Sequence, residues 1–516
     1  MAVVTYSLDY VSKKTGLDQK RIKDMMDGMG MPTEISEGNV VVEVTPNRPD
    51  LLTVEGILRA LEGYSKNRFY EYSAANDPNY RMECRGSSSR PFAVCAVVKD
   101  VKDNEHLYEE LMDAQEKIHE TLGRKRKKAA IGIHDLDSVE FPLRFREVKE
   151  GKFIPLGMTE EMGIGEMLQT HEKGKAYAHL VENGKYPVVE DKKGIISVPP
   201  IINCDRTKVK EETRNFLIEI TGTSRETLGY VLNIIVCSLA DRGGKVYAVK
   251  VGRSTYPDLA TGMIRVNPKN ASRLAGFVLD EHKMKECLSR MNIRYEKGKA
   301  TIPPYRKDMS KDIDVIEDVL IGYGYQNIVP DMGSFYHVGA RKADVEREIF
   351  ESMGFVEAKN FYLCDAREYR KVLPSKGALL GIANPLTDEL NSVKNTTLVE
   401  LLRTVGKNRM RPLPMKIFEY DHVYDGKEAK ELGFVIADRS VKIEDAISTV
   451  KTLFREKGVA VNFGGEPSFK DLYIGGWALA FKGKGVWGEV GVVKPDLLEH
   501  FGLDFPVICG FVREGG

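Results

Sequence analysis

Hydrophobic positions along the chain recur with two periods, near two and near 3.6 residues, and the switches between them lay out the elements. Residues 40–44 (VVVEV) read as a strand, and Asn47-Arg48-Pro49-Asp50 supplies turn chemistry after it. Leu51, Val54, Leu58 and Leu61 then fall on one helical face, with Asp50 as the expected N-cap and Gly63 as the expected end. The polar stretch 69–90, rich in Asn, Ser and Tyr, predicts a linker, and the apolar run PFAVCAVVKDV from Pro91 opens a new domain. From about residue 194 to 251 the pattern alternates strand, strand, helix, strand. Thr223 and Glu226 have capping-box spacing, Leu228, Val231, Leu232, Ile235 and Leu239 form one apolar face, and Gly243-Gly244 stops the helix. Pro199-Pro200 ends the strand before it and leaves 201–203 as a continuation or a loop. Residues 256–330 predict a smaller helix-rich unit. Beyond it, helices mix with strands at 416–424, 476–482 and 486–493, which predicts an antiparallel sheet.

The fold class is therefore α+β and multidomain, with a small α/β domain over 1–90, a mixed α/β domain over 91–255, the helix-rich domain over 256–330 and the sheet domain over 331–516. Length agrees, since 516 residues at roughly 100–200 per domain make three to five domains. Lys plus Arg and Asp plus Glu both number 76, so no global basic field marks nucleic acid or an anionic membrane, and any RNA contact is local. The 7 cysteines are scattered without a Cys-x-x-Cys pair, which fits a reduced cytoplasm. No apolar run approaches the roughly 20 residues that span a bilayer, and the first residues lack an apolar secretion segment, so neither export nor membrane insertion is expected. Fixed-period repeats and low-complexity tracts are absent, which excludes a solenoid or disordered scaffold.

Candidate chemistry concentrates in IPPYRKDMSKDIDVIEDVLIGYGYQNI, where Asp314, Glu317 and Asp318 share a helical face just downstream of Asp308. Like charges three and four residues apart cost roughly 0.2–0.5 kcal/mol per pair, so a compensating cation is expected. An all-oxygen set suits Mg²⁺ or Ca²⁺; the plain alternative is a solvated acidic face neutralised by Arg306, Lys307 and Lys311. The run from Arg124 to Lys128 reads as an exposed helix end or as a phosphate-contacting patch.

Taken in order, TPNRPDLLTVEGILRAL, AIGIHDLDSV, VPPIIN with ITGTS, and the acidic segment resemble the β subunit of phenylalanyl-tRNA synthetase. NPLTDELNSVKNTTLVELLRTVGKNRMRPLPMKIFEYDHVY and GVWGEVGVVKPDLLEHFGL resemble that subunit's catalytic-like module, so the resemblance spans essentially the whole chain. There is room for neither the oligonucleotide-binding insertion nor the C-terminal ferredoxin-like anticodon module of the bacterial type, and the archaeal and eukaryotic type fits instead. The resemblance implies an (αβ)₂ heterotetramer with an α subunit that carries the synthetic site and joins phenylalanine to tRNA(Phe) with ATP. It implies a class II synthetase-like antiparallel sheet with helices over 331–516. That module has no G-x-G-x-x-R segment to hold ATP, so 384–424 is expected to form an interface. Lys307-Asp308-Met309-Ser310-Lys311 is similar to the KMSK loop of the other synthetase class, but that loop works with a His-containing signature at the start of a nucleotide-binding fold, and the nearest candidate for it, Gly132-Ile133-His134, sits in the wrong context.

In that family an R-x-D segment and the following D-x-x-E-D ligate a Mg²⁺ shared with the α subunit. The resemblance carries this onto Asp308, Asp314, Glu317 and Asp318, with a Glu-Asp ending where a glutamate pair is usual, and implies a role in assembly. Residues 91–253 resemble the editing domain, which hydrolyses tyrosine wrongly attached to tRNA(Phe). Such a pocket needs polar partners for a phenolic hydroxyl, and Ser197, Asn203, Lys208, Glu219, Thr221, Thr223 and His134 are the candidates. Ser197 and Asn203 could equally satisfy backbone around Pro199-Pro200, Thr223 could cap its helix, and Lys208 and Glu219 could be a surface pair. Two other readings stay open: a free-standing editing hydrolase and a non-enzymatic tRNA-binding scaffold.

Overall fold

The computed structural model describes residues 2–102, 106–330, 344–377 and 379–514. They fold as two compact units, Met1–Asp331 and Met332–Gly516. The boundary expected at 330/331 opens onto residues 331–343, outside the described residues.

In the first unit, strand Asn39–Val44 lies between Ala2–Ser7 and Thr33–Ser36, antiparallel to both. Its Val40, Val42 and Val44 point into the core, as period-two alternation requires. The helix after it begins later than the sequence suggests. Pro49–Leu52 is a short 3₁₀ turn, and Thr53 is the cap of Val54–Lys66, its side chain accepting from the Gly56 N–H at 3.1 Å. Asp50 is buried and gripped by Arg48 through two bonds of 2.9 Å, so it has no freedom to cap. The helix passes Gly63 and ends at Asn67, whose φ of 52° makes the left-handed cap.

The expected linker is also not one. Ala75–Gly86 is a strand near the middle of a 10-stranded sheet, parallel to both Lys245–Val251 and Leu143–Val148. Along the sheet the strands run Ile202–Asn203, Gly194–Val198, Tyr186–Asp191, Leu143–Val148, Ala75–Gly86, Lys245–Val251, Phe92–Lys99, Phe216–Gly222 and Ala129–Asp135, with Ser254–Tyr256 added on Lys245–Val251. Twist accumulates over so many strands until the two ends of the sheet face each other. Asn203 on one end strand donates to the Ile133 carbonyl on the other, at 3.1 Å. Helix Arg225–Asp241 packs its predicted apolar face, all buried, against this sheet. Its cap is Ser224, which accepts from the Thr227 N–H at 3.4 Å. Thr223 is not available for that role because its N–H still bonds to the Lys128 carbonyl at 3.1 Å, extending the sheet contact.

Residues 262–323 form a small layer of three antiparallel strands, Gly262–Arg265, Lys299–Ile302 and Arg294–Glu296, with helices Pro268–Ala275, Glu281–Arg290 and Asp312–Tyr323. Their core centres on Met284, Leu288, Ile293 and Val319.

In the second unit a 7-stranded sheet runs Val356–Glu357, Met415–Tyr424, Glu428–Ala437, Val507–Glu514, Val486–Val493, Tyr473–Gly483 and Val461–Phe463. All pairs are antiparallel except the first. Helix Leu398–Lys407 covers one face through Leu398, Leu401, Leu402 and Val405. Helix Ile443–Glu456 covers the other through Ala446, Val450, Leu453 and Phe454.

Candidate functional site

The closure of the large sheet gathers most of the polar candidates into one corner. Glu219 lies on Phe216–Gly222, one strand in from an end, and Ser197 lies on Gly194–Val198, one strand in from the other. Ser197 Oγ donates to Glu219 Oε1 at 2.8 Å, and both side chains are 1 % exposed. His134 Nε2 stands 3.9 Å from the same Oε1, and its Nδ1 shares a hydrogen bond of 2.8 Å with Thr207 Oγ1. Two buried polar atoms here have no partner among the described residues, Glu219 Oε2 and His134 Nε2. Buried polar groups are almost always satisfied, so an orphan pair in one place marks a site awaiting a polar partner.

These residues back onto a cavity of about 600 Å³ whose walls include Glu219, Asn203, Lys208, Ile133, Pro200 and Tyr177. Lys208 is at the rim, paired with Asp205 at 3.1 Å. Two candidates lie elsewhere. Thr221 points along the same strand face as Glu219 but accepts from Arg90 Nε at 2.9 Å; Arg90 is buried, and burial pulls its pKa down to about 10 against the pull of the Glu219 charge. Thr223 is exposed beyond the strand end and lines no part of the cavity.

Several contributors escaped the sequence reading. Gly132 is the strand partner of Glu219. A β-carbon there would sit 2.3 Å from Glu219 Oε1 and 3.1 Å from His134 Nε2, so only glycine leaves the corner open. Arg126 belongs to the basic run, which is neither a helix end nor wholly exposed. Arg124, Lys125 and Arg126 have φ of 48°, 52° and 65°, a left-handed turn that costs roughly 1–2 kcal/mol per non-glycine residue. It turns Arg126 inward, where Nη1 donates to the Pro200 and Ile201 carbonyls at 3.3 and 3.1 Å, Nη2 donates to Glu116 at 2.7 Å, and the guanidinium stacks 4.4 Å from the Tyr177 ring centroid. Arg126 thus ties the Pro199-Pro200 turn to the cavity's helical wall, Leu107–Glu120. On that helix His119 Nε2 accepts the Ile131 N–H at 2.8 Å, which leaves Nδ1 as the proton carrier facing Glu116 Oε1 at 3.2 Å. That hydrogen bond, with Arg126 behind it, pulls the Glu116 carboxyl down to about 2. Burial lowers the His119 pKa.

The acidic quartet does not converge. Arg306, 3 % exposed, sits between Asp308 and Asp318 and donates to both, at 2.9 Å each. Burial works against the Arg306 charge, but Asp318 and Asp308 outweigh it and raise its pKa well above the ordinary value. Asp314 accepts the N–H groups of Ser310 and Lys311 at 2.7 Å each, at the start of its own helix. These bonds outweigh burial and keep its pKa low. Glu317 is exposed. Among the described residues no three His, Cys, Asp or Glu side chains are grouped to hold a metal. As a self-contained cage the four do not fit Mg²⁺: Arg306 is the compensating cation for two, while Asp314 and Glu317 stand apart from that pairing.

Among the described residues no helix is long and apolar enough to cross a membrane. Three family models match the chain: the B3/4 domain over residues 97–229, the tRNA synthetase B5 domain over 264–325, and the phenylalanyl tRNA synthetase beta chain CLM domain over 338–510. The phenylalanine–tRNA ligase beta subunit of Saccharolobus solfataricus is 33% identical over 527 residues, covering 96% of this chain and 95% of that one. Its counterpart in Archaeoglobus fulgidus is 34% identical over 537 residues, covering 98% and 97%. A crystal structure of an N-terminal fragment of the phenylalanyl-tRNA synthetase beta subunit from Pyrococcus horikoshii matches with a TM-score of 0.58 and 30% identity, over 62% of this chain and 99% of that one. By identity maintained over nearly its full length, and by three successive domain matches in order, the chain belongs to the phenylalanine–tRNA ligase beta subunit family.

Proposed function

We propose that this chain works in the cytoplasm as half of an (αβ)₂ ligase whose α subunit attaches phenylalanine to tRNA(Phe) with ATP, while the Glu219 cavity hydrolyses Tyr-tRNA(Phe). The Glu219 carboxylate carries the hydrolytic part of this reading, being buried beside the cavity with Oε2 unpartnered among the described residues. Leaving such a group unpaired costs about 1–3 kcal/mol or more. A tyrosyl ring entering the cavity brings one hydroxyl proton to donate there, and a phenylalanyl ring brings none. The discrimination therefore runs opposite to that of an apolar synthetic pocket, which rejects an added hydroxyl poorly. In the hydrolysis a water oxygen bonds to the tyrosyl carbonyl carbon, the ester bond to the ribose breaks, one of the water's protons passes to the ribose oxygen and the other is released to solvent, leaving tyrosine as its carboxylate and the tRNA with a free ribose hydroxyl.

The catalytic-like unit supports a non-synthetic, interface role through exposed apolar side chains in and beside 384–424, with Leu386 103 % and Met410 92 % exposed. Covering a side chain exposed to that degree contributes about 1.5–3 kcal/mol, which is what an interface in this segment would gain from each. Mg²⁺ enters this reading with ATP, and at the acidic segment only with ligands from the α chain beside Asp314 and Glu317. Asp314→Asn combined with Glu317→Gln should then weaken α–β association; sedimentation showing equal assembly of variant and wild type, with or without chelator, rejects that part.

The deciding assay measures phenylalanylation and Tyr-tRNA(Phe) deacylation by the chain alone and after mixing with its α chain. Both activities only in the mixture support the proposal. Deacylation by the chain alone supports a free-standing hydrolase, and neither activity supports a tRNA-binding scaffold. Glu219→Gln should slow deacylation roughly tenfold to a hundredfold, the equivalent of about 1.4–3 kcal/mol, with phenylalanylation intact; unchanged deacylation removes Glu219 from the site.

A further inference from the structure

A second cavity of the first unit, about 300 Å³, shares no lining residue with the Glu219 cavity. Its walls include Arg59 from helix Val54–Lys66, Asp241 and Arg242 from the end of helix Arg225–Asp241, and Lys14, Arg68 and Lys102. Arg59 is 2 % exposed, and its guanidinium stacks 4.3 Å from the Tyr305 ring centroid. One end of the guanidinium is satisfied, Nη1 pairing with Asp241 Oδ2. Its side edge is not: Nε and Nη2 both lack a hydrogen-bond partner among the described residues.

That edge is a fork of two parallel N–H groups, and elsewhere in this chain the same edge shows what fits it. Arg48 Nε and Nη2 grip the two oxygens of Asp50 at 2.9 Å each. Arg146 Nε and Nη2 grip those of Glu190 at 2.8 and 2.9 Å. Such bidentate contacts select carboxylates and phosphates. The carboxylates in the wall already have partners: Asp241 holds Arg59 and accepts from the Tyr72 hydroxyl at 2.8 Å, Glu55 holds Arg242, and Glu62 holds Arg68 at 2.7 Å. At the wall two exposed lysines, Lys14 and Lys102, make no ion pair among the described residues. The unspent charge of this cavity is positive.

We propose that this cavity is an oxyanion site in which the Nε and Nη2 groups of Arg59 bind two oxygens of a phosphate group, with Lys14 and Lys102 neutralising the remaining charge. A phosphate suits the site better than a carboxylate because two ammonium groups are available beyond the fork, for oxygens that a carboxylate does not have. The phosphate can belong to an RNA backbone or be free in solution, and the chemistry at Arg59 is the same.

Calorimetric titration of the full chain with inorganic phosphate at constant ionic strength tests the site. Wild type should bind one phosphate saturably, with a matching rise in thermal midpoint. Arg59→Lys keeps the charge but removes the fork and should abolish binding. Because Arg59 also holds Asp241, the double variant Lys14→Gln/Lys102→Gln, which leaves that pair intact, is the second arm and should weaken binding about tenfold, equivalent to about 1.4 kcal/mol. No saturable binding by wild type at millimolar phosphate overturns the site, and so does equal binding by the folded double variant and wild type. If tRNA displaces bound phosphate, the natural ligand is an RNA backbone phosphate; if it does not, the ligand is free phosphate.

Discussion

Gly132 stands opposite Glu219 in the strand register, and the space that a methyl group would take there is the space the candidate site needs. Gly132→Ala puts carbon 2.3 Å from Glu219 Oε1 and forces the carboxylate aside. Deacylation of Tyr-tRNA(Phe) by the assembled ligase should fall roughly tenfold to a hundredfold, the effect of misplacing one buried hydrogen-bonding group worth about 1–3 kcal/mol, while phenylalanylation stays unchanged. Equal losses in both rates would point to a folding defect instead. At this scale the sequence named Glu219, Ser197, His134 and Asn203 by residue type, from strand ends and a resemblance. It had no signal for Gly132 or Arg126, because their importance lies in what faces them across the sheet. A glycine in a strand and a lysine-arginine run are both common in positions that do nothing of the kind.

Helix Leu107–Glu120 shows what single elements do and do not disclose. Its cavity wall is held by His119 and Glu116, whose proton equilibria act in the same direction. Burial depresses the His119 pKa below its ordinary 6.5, and the bond from His119 draws Glu116 from 4.5 to about 2. A depressed folded pKa means the unfolded state binds more protons, so the stabilisation is complete above the unfolded pKa and is lost on acidification. The His119 share should fade first as pH falls below about 6.5, and the Glu116 share from about 4.5 downward. Hydrogen exchange of 107–120 should therefore accelerate, relative to the rest of the sheet domain, between pH 7 and 4.5. His119→Gln keeps a donor and an acceptor but does not titrate, and should remove the first part of that change; an identical pH profile would exclude His119 as its source. The helix periodicities themselves were legible, and Leu228, Val231, Leu232, Ile235 and Leu239 are all buried as the pattern requires. Their caps were not. The residue that begins a helix is the first one released by whatever precedes it, and at Thr53 and Ser224 that was decided by a buried Arg48–Asp50 pair and by a strand bond that kept Thr223.

On the scale of the whole molecule, the described residues of each unit build hydrophobic clusters of their own, around residues such as Val94, Ile218 and Leu288 in the first and Leu401, Phe434 and Val450 in the second. Each unit thus has the core that independent folding needs. Residues 1–330 expressed alone should unfold in one cooperative thermal transition; a product that binds hydrophobic dye and lacks such a transition would contradict this. By itself the sequence determined the class of fold, the helices and strands with strong periodicity, the antiparallel sheet of the second unit, and the family, because these depend on local patterning and on long motifs in a fixed order. Only the tertiary structure decided that residues 75–86 are a strand inside the large sheet, that its two ends meet at Asn203 and Ile133, and that Glu219 is left with an unpartnered oxygen where they meet. Only it decided that Arg306 divides the acidic quartet. Strand order, sheet closure and ion pairing depend on which distant residues come within a few ångströms, and no period along the chain carries that information.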